Sequence, residues 1–136
     1  MVVAIIDSHP VFLSGLTQFL YEFFPKAQVI RSVSLNAFDE NRVELKPDLL
    51  ILGVNSFFKV GELKTLEAIK ESMPSAYIVV LYDEIHMAIP LLKIGARGFL
   101  AKRESSIELL DCLQCILKGK RYLNEEVFEW IVRPTS

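Results

Sequence analysis

Tyr77-Ile78-Val79-Val80-Leu81-Tyr82 decides the fold. The run is apolar at every position, so neither of its faces is built for water. Strands read this way when helices cover a parallel sheet on both sides. The flanks agree. Upstream, residues 62–73 repeat Leu63, Leu66, Ile69 and Met73 at helical spacing and stop before Pro74. Downstream, residues 84–94 are helical by pattern and end at Gly95, with Pro90 inside them. An interior proline removes a hydrogen bond and crowds the preceding turn, so a kinked or frayed helix is expected there. Gly98-Phe99-Leu100-Ala101 then reads as another strand.

The alternation continues outward to both ends. Val2-Val3-Ala4-Ile5-Ile6 is a fully apolar strand, residues 28–33 are a shorter one, and Leu49-Leu50-Ile51-Leu52 follows Pro47-Asp48. Residues 11–24 carry Leu13, Leu16 and Leu20 on one helical face and stop at Pro25. Residues 35–45 form a weaker helix with Ser34 as its N-cap. Residues 106–118 repeat Leu109, Leu113 and Leu117 ahead of Gly119, a suitable C-cap. Residues 124–132 begin a short further helix capped by Asn124. Five strands alternating with five helices argue for an α/β fold with a parallel sheet of right-handed crossovers. In such open sheets function gathers at the carboxyl ends of the strands. That rule points to Asp7 and Ser8, Gly53, Tyr82 and Asp83, and Lys102.

Composition narrows the function classes. The 136 residues are one domain's length, and 51% apolar with 24% charged residues argues against disorder. A net charge of -2 makes the chain a poor candidate for gripping nucleic acid by itself. Cys112 and Cys115 neither frame a disulfide scaffold nor complete a zinc site, and they read as reduced packing thiols of a cytoplasmic protein. His9 and His86 are isolated, with no set of metal ligands around them. No apolar run reaches the roughly 20 residues of a membrane span, and no basic start followed by a long apolar core marks a signal peptide. No nucleophile–base pair emerges from the strand ends, so no enzyme activity is expected. Residues 133–136 read as a chain end or the start of a connector.

Four stretches carry a family resemblance. They are Ile6-Asp7-Ser8-His9-Pro10, Gly15-Leu16, Lys46-Pro47-Asp48-Leu49-Leu50-Ile51-Leu52, and Gly95-Ala96-Arg97-Gly98-Phe99-Leu100-Ala101-Lys102. Together with Gly119-Lys120-Arg121-Tyr122-Leu123-Asn124 they cover nearly the whole chain. The sequence resembles the receiver domain of bacterial two-component response regulators, within the NarL/FixJ (LuxR-type) subfamily. The resemblance implies a flavodoxin-like, doubly wound, five-stranded sheet of order 2-1-3-4-5. It implies a receiver-like domain over residues 1–123, with residues 124–136 as a C-terminal helix or the start of a linker to an output domain. It also implies a chemistry: two acids after the first strand hold Mg²⁺, and an aspartate ending the third strand accepts a phosphoryl group. A small hydroxyl ending the fourth strand and a lysine after the fifth bind the phosphoryl oxygens. Such transfer needs a nucleophile, a metal and fixed donors.

The chain departs from that pattern where the chemistry lies. The acceptor position holds Gly53, which has nothing to attack with. The acidic pair is reduced to Asp7 followed by Ser8, and the hydroxyl position holds the bulkier Tyr82. Asn55 and Ser56 are not acidic, so no shift of register restores a carboxylate. One carboxylate without a phosphoryl group is a weak magnesium site, so no metal or other cofactor is expected. These departures read as a degenerate pseudo-receiver.

Each position carries a structural alternative. Lys102 is either the relic of a phosphate-sensing lysine or a charge paired with Asp7; the pair is favoured, because a buried lysine needs a carboxylate within reach. Tyr82 either fills the emptied acidic pocket or points to solvent. Phe99 sits where the family carries an aromatic switch residue, and a core contact is the preferred reading. Ser8 is a candidate cap for the first helix, and Phe57-Phe58 are expected to tuck under their loop rather than to be displayed. The functional expectation is a phosphorylation-independent receiver domain of a transcriptional regulator. It would act through a homodimer or a partner protein and reach DNA only through a helix-turn-helix outside this chain. The alternative is a small-molecule sensor in which a compact anion enters beside Gly53 and meets Lys102.

Overall fold

The computed structural model describes residues 1–41 and 46–133. Its sheet has six parallel strands in the order β2-β1-β3-β4-β5-β6. The chain runs β1 (Val2–Ile6), α1 (Pro10–Phe23), β2 (Gln28–Ser32), α2 (Leu35–Glu40), β3 (Leu49–Val54) and α3 (Val60–Ser72). It continues through β4 (Tyr77–Tyr82), α4 (Ala88–Ile94), β5 (Ala96–Ala101), α5 (Ser106–Leu117), β6 (Tyr122–Leu123) and α6 (Glu125–Val132). The five expected strands keep their expected order, but the sheet is six-stranded. The addition is β6, two residues that pair in parallel with Gly98 and Phe99 of β5. A two-residue strand has no periodicity of its own, so no pattern in the sequence announces it.

Side chains alternate across the strands, and the two faces bury separate cores. Ala4, Ile6, Leu50, Leu52, Ile78, Val80 and Phe99 pack with α2, α3 and α4. Val127 of α6 belongs to the same core, with Trp130 and Ile131 against it. Val3, Ile5, Leu49, Ile51, Val79, Leu81 and Leu100 pack with α1 and α5.

Local chemistry sets the helix boundaries. α1 starts at Pro10, whose missing N–H costs nothing in a first turn. Ser34 caps α2 by accepting from Ala37 N at 3.0 Å. The last four residues of the expected 35–45 helix, 42–45, lie outside the described residues, as do residues 134–136 of the tail. α4 is shorter than the pattern suggests: residues 84–87 are not helical, and Pro90 is its third residue. A proline in the first turn breaks no helical hydrogen bond, and of the two expected outcomes it is the frayed start that is seen, with residues 84–87 outside the helix. Gly95 closes α4 at φ +122°, a conformation suited to glycine. None of the helices among the described residues is long and apolar enough to cross a membrane.

Candidate functional site

The carboxyl ends of β1, β3, β4 and β5 gather the residues singled out above. Alternation divides them between the two faces. Gly53 is in register with Leu81, on the α1–α5 side, whereas Tyr82 is in register with Val54 on the other. The strand ends therefore form two clusters.

The first cluster is an ion pair just beyond the ends of β1 and β5. Lys102 Nζ lies 2.5 Å from Asp7 Oδ2, with the lysine side chain 10% exposed and the aspartate 3%. The ammonium is Oδ2's partner, since no hydrogen bond of regular geometry reaches that buried oxygen. Oδ1 accepts from His9 N at 2.8 Å and faces His9 Nδ1 at 3.0 Å. Lys102 also sits 4.8 Å above the centre of the Phe12 ring and 3.5 Å from the exposed Asp83 carboxylate. The expected pairing of Lys102 with Asp7 is thus present, and the carboxylate is committed on both oxygens.

Gly53 explains how the pair closes. A Cβ built on Gly53 would stand 1.8 Å from Asp7 Oδ2 and 2.7 Å from Asp7 Cγ. No real side chain tolerates such contacts, so the space beside Gly53 is already filled by the Asp7 carboxylate. This undercuts the anion-sensor alternative. A cleft of about 210 Å³ does open near Gly53, lined by Asp7, Ser8, Asn55, Phe57 and Glu62 among others. Lys102 does not line it; it lines a separate, more apolar cleft between α1 and α5. Ser8 does not cap α1 either. His9 takes the N-cap position without a side-chain bond, and Ser8 Oγ instead accepts from Asn55 Nδ2 at 3.3 Å.

Asp7 is spent on Lys102 and His9, while Ser8 and Gly53 supply no carboxylate. Among the described residues no group of three or more His, Cys, Asp or Glu is placed to hold a metal.

The second cluster is built on Tyr82, which follows neither expected course. Its ring is 2% exposed and packs on the α4–α6 side, away from Asp7. Its hydroxyl donates to Glu126 Oε1 at 2.6 Å and accepts from Asn124 Nδ2 at 2.7 Å. Asn124 also caps α6, accepting from Val127 N at 2.9 Å. Arg103 reaches the same Glu126 carboxylate at 3.3 Å. Burial, and then the bond to the Glu126 carboxylate, push the Tyr82 phenol up to about 12, so it stays protonated and able to donate near neutral pH.

The remaining expectations divide. Phe99 is a core contact at 1% exposure. Phe58 is tucked under its loop, but Phe57 is 75% exposed, so the tucking expectation holds for one of the two. Both cysteines are free, and burial pushes the Cys112 thiol up to about 12, which suits an inert packing residue. Nothing in the sequence marks Glu126. Asn124 was legible as a cap, but nothing local marks a glutamate 44 positions from Tyr82 as its partner.

The chain is similar to known regulators over almost its full length. It is 32% identical over 129 residues to the nitrate/nitrite response regulator protein NarL of Escherichia coli K12, covering 90% of this chain and 57% of that protein. It superposes on the isolated REC domain of RcsB from Salmonella enterica serovar Typhimurium with a TM-score of 0.78 at 27% identity, covering 95% of this chain and 96% of that one. A structure of two RcsB dimers bound to two parallel DNAs matches at TM-score 0.78 and 28% identity, over 95% of this chain and 66% of that one. The fold is that of a response-regulator receiver domain. The chain spans 58% and 60% of the length of the first curated relatives it matches. No protein-family model matches it.

Proposed function

We propose that this chain is a pseudo-receiver of a transcriptional response regulator, signalling by protein–protein contact without phosphoryl transfer. Residues 1–123 form the receiver-like unit, and α6 is its helical exit. One observation carries this reading: Asp7 Oδ2 stands where the first side-chain atom of any residue at position 53 would have to be. The acceptor is missing, its space is filled, and the lysine that would bind a phosphoryl oxygen is neutralised at 2.5 Å. The similarity to response regulators supports the signalling role. The commitment of Asp7 on both oxygens supports a site that works without Mg²⁺ or another cofactor, and without enzymatic turnover.

A receiver switches because a ligand favours one of two states. With phosphate removed, that ligand is a partner protein or a second copy of the chain, in keeping with the dimers seen for RcsB. Contact with DNA belongs to a domain outside these residues, in keeping with the chain's net charge of -2. The setting is cytoplasmic.

Incubation with acetyl phosphate and Mg²⁺, read by intact mass and by light scattering, tests the proposal. The mass and the assembly state should both stay unchanged. An added phosphoryl group would overturn the proposal.

A further inference from the structure

The polar cluster around Tyr82 joins three separate parts of the chain. Tyr82 ends β4, Arg103 lies between β5 and α5, and Asn124 and Glu126 open α6. The phenol is saturated, with one bond donated and one accepted. α6 also rests on the sheet through Val127, Trp130 and Ile131. It is only eight residues long, and Phe128 and Val132 on its outer side are 56% and 59% exposed. A helix this short has little stability of its own, so its docking depends on its contacts.

We propose that Tyr82, Asn124 and Glu126 form a polar lock that holds α6 on the α4 side of the sheet, making α6 docking the movable state of this domain. The inference goes beyond the absence of phosphoryl transfer and does not depend on it. The strand-4 position is turned away from Asp7 and Lys102 and connected to the exit helix instead. Release of α6 would uncover Val127, which is buried in the docked state, and the part of α4 that α6 contacts. Arg103 adds little to the lock. Its side chain is 62% exposed, and exposed ion pairs are weak. The Tyr82–Glu126 bond is the stronger element, because its phenol end is buried and its acceptor is charged.

Trp130 is the sole tryptophan and lies on α6, so its fluorescence reports docking directly. Amide exchange and acrylamide quenching of the full chain test the lock. In Tyr82→Phe, exchange across residues 128–132 should rise about tenfold or more, the effect of losing a hydrogen bond to a charged group. Quenching of Trp130 should rise with it, while β1 and β3 amides keep their native protection. Unchanged α6 exchange would overturn the proposal, as would an equal rise in every element. Glu126→Ala, on the surface, repeats the test without touching the core. Glu125→Ala removes a charge from the same first turn but leaves Tyr82 alone, and it should have little effect on α6. If Glu125→Ala and Glu126→Ala loosen α6 equally, helix-end electrostatics are responsible and the lock is refuted.

Discussion

The two faces of the sheet finish their strands in opposite ways. On the α1–α5 side, Asp7 and Lys102 bury opposite charges 2.5 Å apart. On the α4–α6 side, Tyr82 buries a neutral phenol and meets charge only where Glu126 reaches solvent. The buried pair gains little over an apolar filling, yet it is costly to break, because either partner alone leaves an unpaired charge. The Tyr82 cluster is cheap to loosen, because its charged members can return to water. Rigidity and movability thus sit a few residues apart at the same rim.

Breaking the buried pair gives the largest expected effect. Lys102→Met should cost about 3–5 kcal/mol in chemical denaturation, the range for stranding one member of a buried ion pair. Adding Asp7→Asn should recover much of that loss. A cost under about 1 kcal/mol would show that the pair is not buried as described.

Gly53→Ala comes next. The methyl must push Asp7 aside, so overpacking of roughly 1–3 kcal/mol is expected. In an Asp7→Ala background the same change should cost much less, and a double-mutant cycle measures that coupling. Additive costs would mean that the glycine serves some other purpose.

Tyr82→Phe should cost about 1–2 kcal/mol, because the lost bond involves a charged partner that can be rehydrated. Its pH dependence has a definite sign. The folded phenol is raised to about 12 from an ordinary 10, so the folded state holds the proton more tightly than the unfolded chain. The stability this gives is intact below pH 10 and is lost as pH climbs from 10 towards 12. Tyr82→Phe should flatten that part of the profile, although Tyr122, held up by its bond to Glu108, leaves a residual slope. Arg103→Ala is the smallest change, below about 1 kcal/mol and weaker still in high salt.

The five main strands and all six helices were legible because burial on both faces, or on one helical stripe, writes itself into residue order. Pro90 left two outcomes open because its meaning depends on where the helix starts, and residues 84–87 stay out of α4. The Asp7–Lys102 pair was legible from energetics alone, since a buried lysine needs an anion. The course of Tyr82 is not legible from the strand end alone, since the alternation along β3 and β4 puts it on the opposite face from Gly53. Glu126 was invisible, since its role arises only when the last helix returns to the sheet.

Gly53 also has a consequence for how this domain can change. An acid placed at position 53 meets the carboxylate of Asp7 before it meets any phosphoryl donor. Asp7 must first release Lys102, and a released Asp7 is a buried charge without a counterion. Each side chain added at position 53 therefore works against the Asp7–Lys102 pair. The missing side chain works as a ratchet, keeping the rim settled around the Asp7–Lys102 pair against single substitutions at position 53.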